Sequence, residues 1–422
     1  MIYSFLRNII LITGLLYSLT GAQSKILIFM DQYQTDHLKA YGITFNNLVS
    51  GNKADWLLNY RGGSFLLDYN ENVAAKCRLE GVAFEEISFS ESAEIYAFVQ
   101  SEENNMDVIR LDKAPKIAVY VPPNFQPWDD AVTLVLEYAN VPYDKIWNDE
   151  ILRGELEKYD WLHLHHEDFT GQYGKFYASF SNAQWYIDQQ IQYEQDAKNN
   201  GYTKVSDMMK DVAATIKNFV GQGGFLFAMC SATDSYDIAL AAHNVDIVAQ
   251  MYDGDAVDPD AKDKLDYNNT LAFTDFILEM NPYVYEYSDI DIQPIEIGNF
   301  SNDYFTLFEF SAKYDPVPTM LTQDHVSVVR GFMGQTTMFR RNRIKNSVII
   351  LAEREGTDQI KYIHGNFGRG TFTFYAGHDP EDYQHAVGDP PTDLALYKNS
   401  PGYRLILNNI LFPAATKKKQ KT

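Results

Sequence analysis

Cys230 lies in the stretch 223–240, where an apolar run after a glycine pair predicts a buried strand. The small polar residues that follow it, Ser231-Ala232-Thr233-Asp234-Ser235, predict a turn into a helix through Ile238-Ala239-Leu240. A thiol at such an elbow stands at a helix N-terminus, which favours the thiolate and leaves backbone N–H groups free to hold an oxyanion. A buried core cysteine is the plainer reading of the same position, since free Cys is among the most buried residue types. Two further groups carry chemistry. His378 and Glu381 follow directly on the strand predicted over 371–375 and read as a base and the acid that orients it. In Trp161-Leu162-His163-Leu164-His165-His166-Glu167-Asp168 a strand runs out into ionisable side chains. His163 and His165 share one strand face, a pair suited to zinc, with Glu167 or Asp168 as a further ligand or base. His166 faces the other way unless the strand has already ended. The alternative for the whole run is a hydrogen-bonded pocket wall. His364 and His385 flank the His378 loop as further candidate ligands.

Positioning these groups is the work of alternating strands and helices. Strands are predicted over 25–31, 54–59 and 82–88 and helices over 37–49 and 72–80. A polar boundary spans 102–115, after which a second unit begins with a strand over 116–121, a helix over 128–139 and a strand over 159–165. A helical excursion over 185–220 leads into the elbow strand. Short β-rich runs over 306–310, 347–352, 360–364 and 371–375 form a terminal set, the last two joined as a hairpin through 365–370. The helix 403–411 closes the chain. The expected class is α/β: a three-layer, doubly wound sheet over 115–413 with a smaller N-terminal α/β unit over 23–112. Such sheets bind ligands outside the carboxyl ends of their strands, so Cys230, the segment His165, His166, Glu167 and Asp168, and the His378 to Glu381 loop are expected to line one pocket.

The chain has 422 residues, 45% of them hydrophobic, and a formal charge of −22, which argues against a nucleic-acid partner. The only basic cluster is the tail 414–422 with Lys417, Lys418, Lys419 and Lys421. Residues 1–22 read as a secretory signal peptide: Arg7, an apolar core over 9–19, and the small residues Thr20-Gly21-Ala22 at the cleavage site. That core is short for a membrane span, and no other stretch approaches about 20 apolar residues. The mature chain is expected to lack a transmembrane span, to be exported to the periplasm or beyond, and to meet a small-molecule or cell-envelope ligand. In an oxidising compartment Cys77 and Cys230 are expected to pair, which would remove the thiol from chemistry. Arg61-Gly62-Gly63 reads as a turn, with anion binding as the alternative. The acidic loop 253–264 reads as solvated. Phe169, Tyr173, Phe176, Tyr177, Phe180, Trp185 and Tyr186 read as the packed face of a helix, with a carbohydrate or peptide groove as the alternative.

Cys230, His378 and Glu381, in that chain order at predicted strand ends, resemble the nucleophile, base and orienting acid of the class I glutamine amidotransferase-like superfamily. The resemblance covers about 115–413 and implies that fold, with these three residues catalytic. Cys230 stands between Met229 and Ser231 where that family has glycines, and His378-Asp379-Pro380-Glu381 is one residue longer than its His-Pro-Glu. The Gly377-His378-Asp379 loop is closer to the trehalose-utilisation branch, which needs no glutaminase activity. Over its whole length the chain also resembles secreted bacterial proteins labelled asparagine synthetase B. An enzyme of that name exposes an N-terminal Cys and carries a Ser-Gly-Gly-x-Asp-Ser loop, and this sequence has neither. The sequence therefore leaves three functions open: a Cys-dependent hydrolase of an amide or ester, a zinc-dependent hydrolase built on the run 163–168, and a ligand-binding module without catalysis.

Overall fold

Short apolar runs bounded by turn residues become the strands of two sheets. The computed structural model describes residues 24–122, 130–292, 294–298, 303–384, 386 and 388–416. The leader expected at 1–22, the start of the helix expected at 128, His385 and residues 417–422 lie outside them.

The first sheet contains β1 (Lys25–Ile28), β2 (Ala54–Leu58), β3 (Ser64–Asp68), β4 (Glu85–Ile87) and β5 (Asp107–Leu111) in the order β4-β1-β3-β2-β5. Every pairing in it is antiparallel. The second sheet holds β6 (Ile117–Tyr120), β7 (Asp144–Ile146), β8 (Trp161–Leu164), β9 (Phe225–Met229), β10 (Tyr304–Leu307), β11 (Val328–Arg330), β12 (Phe339–Arg340), β13 (Ile349–Glu353), β14 (Gln359–Phe367) and β15 (Gly370–Tyr375). Its order is β11-β10-β13-β14-β15-β9-β8-β6-β7, with β12 on β14. The run β15-β9-β8-β6-β7 is parallel and the remainder antiparallel, including the expected β14–β15 hairpin. The class is mixed α/β.

Alternation along the parallel strands feeds two cores. Ala118, Tyr120, Leu162, Leu164, Leu226 and Ala228 pack with the helices Val205–Gln222 and Ala232–Ala241. Ile117, Val119, Trp161, Phe227 and Met229 pack on the other side with the helices His37–Val49, Ala131–Tyr138 and Pro401–Leu411. That second core also takes in Ile26, Trp56 and Phe65 of the first sheet. The boundary near 102–115 therefore separates two sheets that share one core. Gly42 lets the helix His37–Val49 approach closely, since a Cβ there would fall 1.8 Å from the Ala139 carbonyl oxygen. Residues 414–416, the start of the basic tail, join the fold: Ala415 bridges Leu111, and Thr416 N–H donates to the Arg110 carbonyl.

Candidate metal centre at the carboxyl ends of the parallel strands

Four adjacent parallel strands deliver their following loops to one edge. Asp130 follows β6, His165 and His166 follow β8, Cys230 follows β9 and His378 follows β15. Parallel register makes this unavoidable, because strands running the same way end on the same side.

The strand of the His run ends at Leu164, which frees His166 from the alternation that would turn it away. One ligand nitrogen each from His165, His166 and His378 lies within 4.8 Å of the other two. The His165 and His378 rings meet edge to face with centroids 4.5 Å apart, and those of His166 and His378 stack at 6.0 Å. His165 is fully buried, and neither of its ring nitrogens has a hydrogen bond of good geometry among the described residues. Three imidazoles so placed could hold one ion, for which Zn–N bonds are about 2.0–2.1 Å.

Behind His165 stands Asp130, a residue the sequence reading passed over. Its Oδ1 lies 3.3 Å from His165 Nδ1 and 3.3 Å from His163 Nε2, while His163 Nδ1 lies 3.2 Å from the Phe227 carbonyl. The same oxygen caps the helix Ala131–Tyr138 by accepting from Val132 N–H at 2.8 Å and Thr133 N–H at 3.1 Å. Burial opposes the Asp130 charge, but the two imidazoles and their hydrogen bonds outweigh it and hold the carboxyl well below its usual range. A carboxylate beside Nδ1 is the arrangement found behind metal-bound histidines, where a hydrogen bond to Nδ1–H would leave Nε2 as the ligand. Burial also pushes His163 down, against the pull of Asp130. A helix-capping Asp after a strand was the one available signal for Asp130.

Other expectations resolve differently. Glu167 Oε2 accepts the His165 N–H at 2.9 Å and closes the turn, and burial pushes its carboxyl up to about 8. Asp168 is spent on its own loop, accepting from Thr170 N–H, Gln172 N–H and Gly174 N–H at 2.7–2.9 Å. Its aspartate geometry builds a backbone turn in place of a ligand. The Glu381 carboxylate accepts from Tyr383 Oη of its own loop at 2.9 Å and bonds Ser400, the cap of the helix Pro401–Leu411. His364 is buried on β14 with Nδ1 2.9 Å from Thr373 Oγ1. Arg61 pairs with Asp31 and Glu85, and the Lys204 ammonium sits among Asp246, Asp253 and Asp255, so neither of these expected loops is open for a ligand. The aromatic run packs largely as expected, with Phe169, Tyr173, Phe176 and Tyr186 in the first core.

Cys230 occupies the predicted elbow. Its φ is +48°, a left-handed conformation costly for a side chain and characteristic of a sharp strand-to-helix turn. The thiol is turned inward, however, and the residue is only 3% exposed. Its Sγ accepts the Gln335 N–H at 3.4 Å, with further backbone donors from Ser231 and Thr336. Burial outweighs these donors and pushes the thiol up to about 11, opposite to the activated thiolate expected at a helix start. Cys77 and Cys230 are both free, so the expected disulfide is absent. Iodoacetamide at pH 7 should therefore alkylate Cys230 in the folded protein about a hundredfold more slowly than free cysteine, the rate climbing only as the pH nears that of the thiol. Mass spectrometry of the alkylated peptide reads this directly; labelling as fast as free cysteine would restore the activated thiol.

No protein-family model and no curated protein matches the chain. Among solved structures it is similar to a cytoplasmic protein of Salmonella typhimurium, at 10% identity and a TM-score of 0.35 over 72% of this chain and 100% of that one. A second cytoplasmic protein, from Salmonella typhimurium LT2, aligns at 12% identity and a TM-score of 0.37 over 71% of this chain and 100% of its own. A β-galactosidase from Bacillus circulans sp. alkalophilus aligns at 12% identity and 0.26, over 62% of this chain and 28% of that enzyme. Likeness this distant assigns no chemistry.

Proposed function

We propose that the chain is an exported hydrolase on an amidotransferase-like scaffold that works through a divalent metal, zinc by ligand chemistry, held by His165, His166 and His378. The observation that carries this reading is the convergence of those three imidazoles from two separate strand ends, with the Asp130 carboxylate behind His165. Three imidazole ligands would leave a fourth position for water, and zinc held in this way would supply hydroxide near neutral pH. An amide or ester of a small molecule or cell-envelope fragment is the substrate class, consistent with the leader-like residues 1–22 and the acidic, well-solvated surface implied by a charge of −22. Metal analysis of the purified protein should find about one equivalent of zinc, removable by a chelator, and activity against amide or ester substrates should follow the metal. Less than about 0.2 equivalents after growth with zinc would end the reading.

The strained elbow at Cys230 supports a second reading, thiol catalysis with His378 as base. Chelator-resistant activity that iodoacetamide destroys would favour it.

A further inference from the structure

The loop 331–338 packs on the His378 turn and on the Cys230 elbow. Met333 carbonyl accepts the His378 N–H at 2.7 Å, and Thr336 carbonyl accepts the Gly377 N–H at 2.7 Å. Gln335 N–H reaches Cys230 Sγ, and Thr336 Oγ1 donates to Asp234 Oδ1 at 2.9 Å. Gly334 lies so near the turn that a Cβ there would fall 2.7 Å from His378 N. The backbone of His378 is thus set by this loop as much as by β15.

The loop is closed by one side chain. Lys361, on β14 and fully buried, donates from Nζ to the Phe332 carbonyl at 2.6 Å and the Thr337 carbonyl at 3.0 Å. Its ammonium also stands 3.8 Å from the centroid of the Phe332 ring. Gly377, at φ +96°, has no side chain that would collide with it: a Cβ would fall 2.7 Å from Nζ. A lysine ammonium without water is costly, and burial pushes this one down to about 7 against the attraction of Asp303 and Asp291. Core packing alone is served better by an apolar side chain of the same length. What the amine adds is a pair of directed hydrogen bonds across the mouth of the loop.

We infer that Lys361 is a positioning residue for His378, clasping the ends of the loop 332–337 so that its carbonyls hold the Gly377-His378 turn against His165 and His166. The function assigned to that position rests on the metal reading above; the clasp itself does not. Lys361→Met keeps length and packing while removing the donors. Hydrogen-exchange mass spectrometry of the metal-free protein should show peptides covering 332–337 and 376–380 exchanging at least tenfold faster in this variant, with β8 and β9 unchanged. In cobalt-loaded protein, affinity should fall at least tenfold and the visible d–d bands should shift, a change that mere loss of stability would not produce. Lys361→Gln, which keeps two N–H donors on a shorter stem, serves if the methionine variant does not accumulate, and should recover part of the protection. Unchanged exchange at 376–380 overturns the inference whether or not metal binds. Lost protection in a protein whose wild type takes up no metal leaves the clasp standing and removes the metal reading alone.

Discussion

Alanine at His165 is expected to abolish metal binding and, with it, hydrolysis. His165 belongs to both groups at the sheet edge, facing Asp130 through Nδ1 and sharing the second group with His166 and His378. Its removal deletes one of three ligands and strands the Asp130 carboxylate beside His163 alone. Removing a supporting carboxylate typically costs 10–100-fold in metal affinity, so Asp130→Asn should fall in that range and His165→Ala well beyond it, more than about a hundredfold. Competition with a chromophoric zinc chelator measures both, and circular dichroism checks that the fold survives. Should His165→Ala bind zinc within about threefold of wild type, the three-histidine centre is wrong. An Asp130→Asn variant with unaltered affinity would leave the centre intact but make Asp130 only a helix cap. Binding should also weaken as the pH falls, since protons compete with the ion for the same imidazole nitrogens.

The parts of this arrangement legible in sequence are those governed by local pattern. The helix His37–Val49 and the strand-elbow-helix around Cys230 follow from apolar spacing and glycine punctuation, and the loops after β8 and β15 follow from runs that end in polar residues. Their meeting at one edge follows from parallel pairing, which the alternation of strands and helices implies. The first sheet was harder because its order, β4-β1-β3-β2-β5, depends on long-range antiparallel pairing that leaves no local mark. Burial of the Cys230 thiol is the plainer reading of its position and holds, but what surrounds the sulfur was not legible. It is set by Gln335 and Thr336, a hundred residues downstream and positioned by Lys361 on yet another strand. Glu167, Asp168 and Glu381 take local partners, because carboxylates serve turns and helix ends as readily as ions. The sequence Asp168-Phe169-Thr170-Gly171-Gln172 already had the composition of a side-chain-capped turn, and its Asp accepts the expected backbone donors.

Arg404→Ala should cost about 3–5 kcal/mol of stability, because it leaves a buried carboxylate without its cation. Arg404 is fully buried on the helix Pro401–Leu411, which lies in the core shared by the two sheets. Its Nη1 donates to the Met30 carbonyl at 2.8 Å, Nε donates to Tyr41 Oη at 3.2 Å, and Nη2 donates to the Gly62 carbonyl. Asp324 Oδ1 stands 4.0 Å from Nη1, and the Asp324 side chain is only 2% exposed. One guanidinium therefore ties two loops of the first sheet to the helix that packs on the second. Alanine removes the donors from both carbonyls at once and abandons Asp324 to His325, which lies 2.9 Å away. Each stranded group adds a desolvation cost, offset in part at Met30, whose carbonyl keeps His37 Nε2 at 3.0 Å. Replacing both charged partners with apolar side chains, Arg404→Met with Asp324→Leu, should recover part of the loss, since an apolar pair needs no compensation. Urea unfolding followed by tryptophan fluorescence and far-UV circular dichroism tests the size and the unit of the effect. Trp56 reports the first sheet and Trp161 the second, and both sit in the shared core. A single coincident transition that shifts as a whole is expected, because the two sheets bury one continuous apolar surface between them. Separate transitions would make the boundary near 102–115 a true division between independently folding units, and a loss under about 1 kcal/mol would reduce Arg404 to an incidental buried charge.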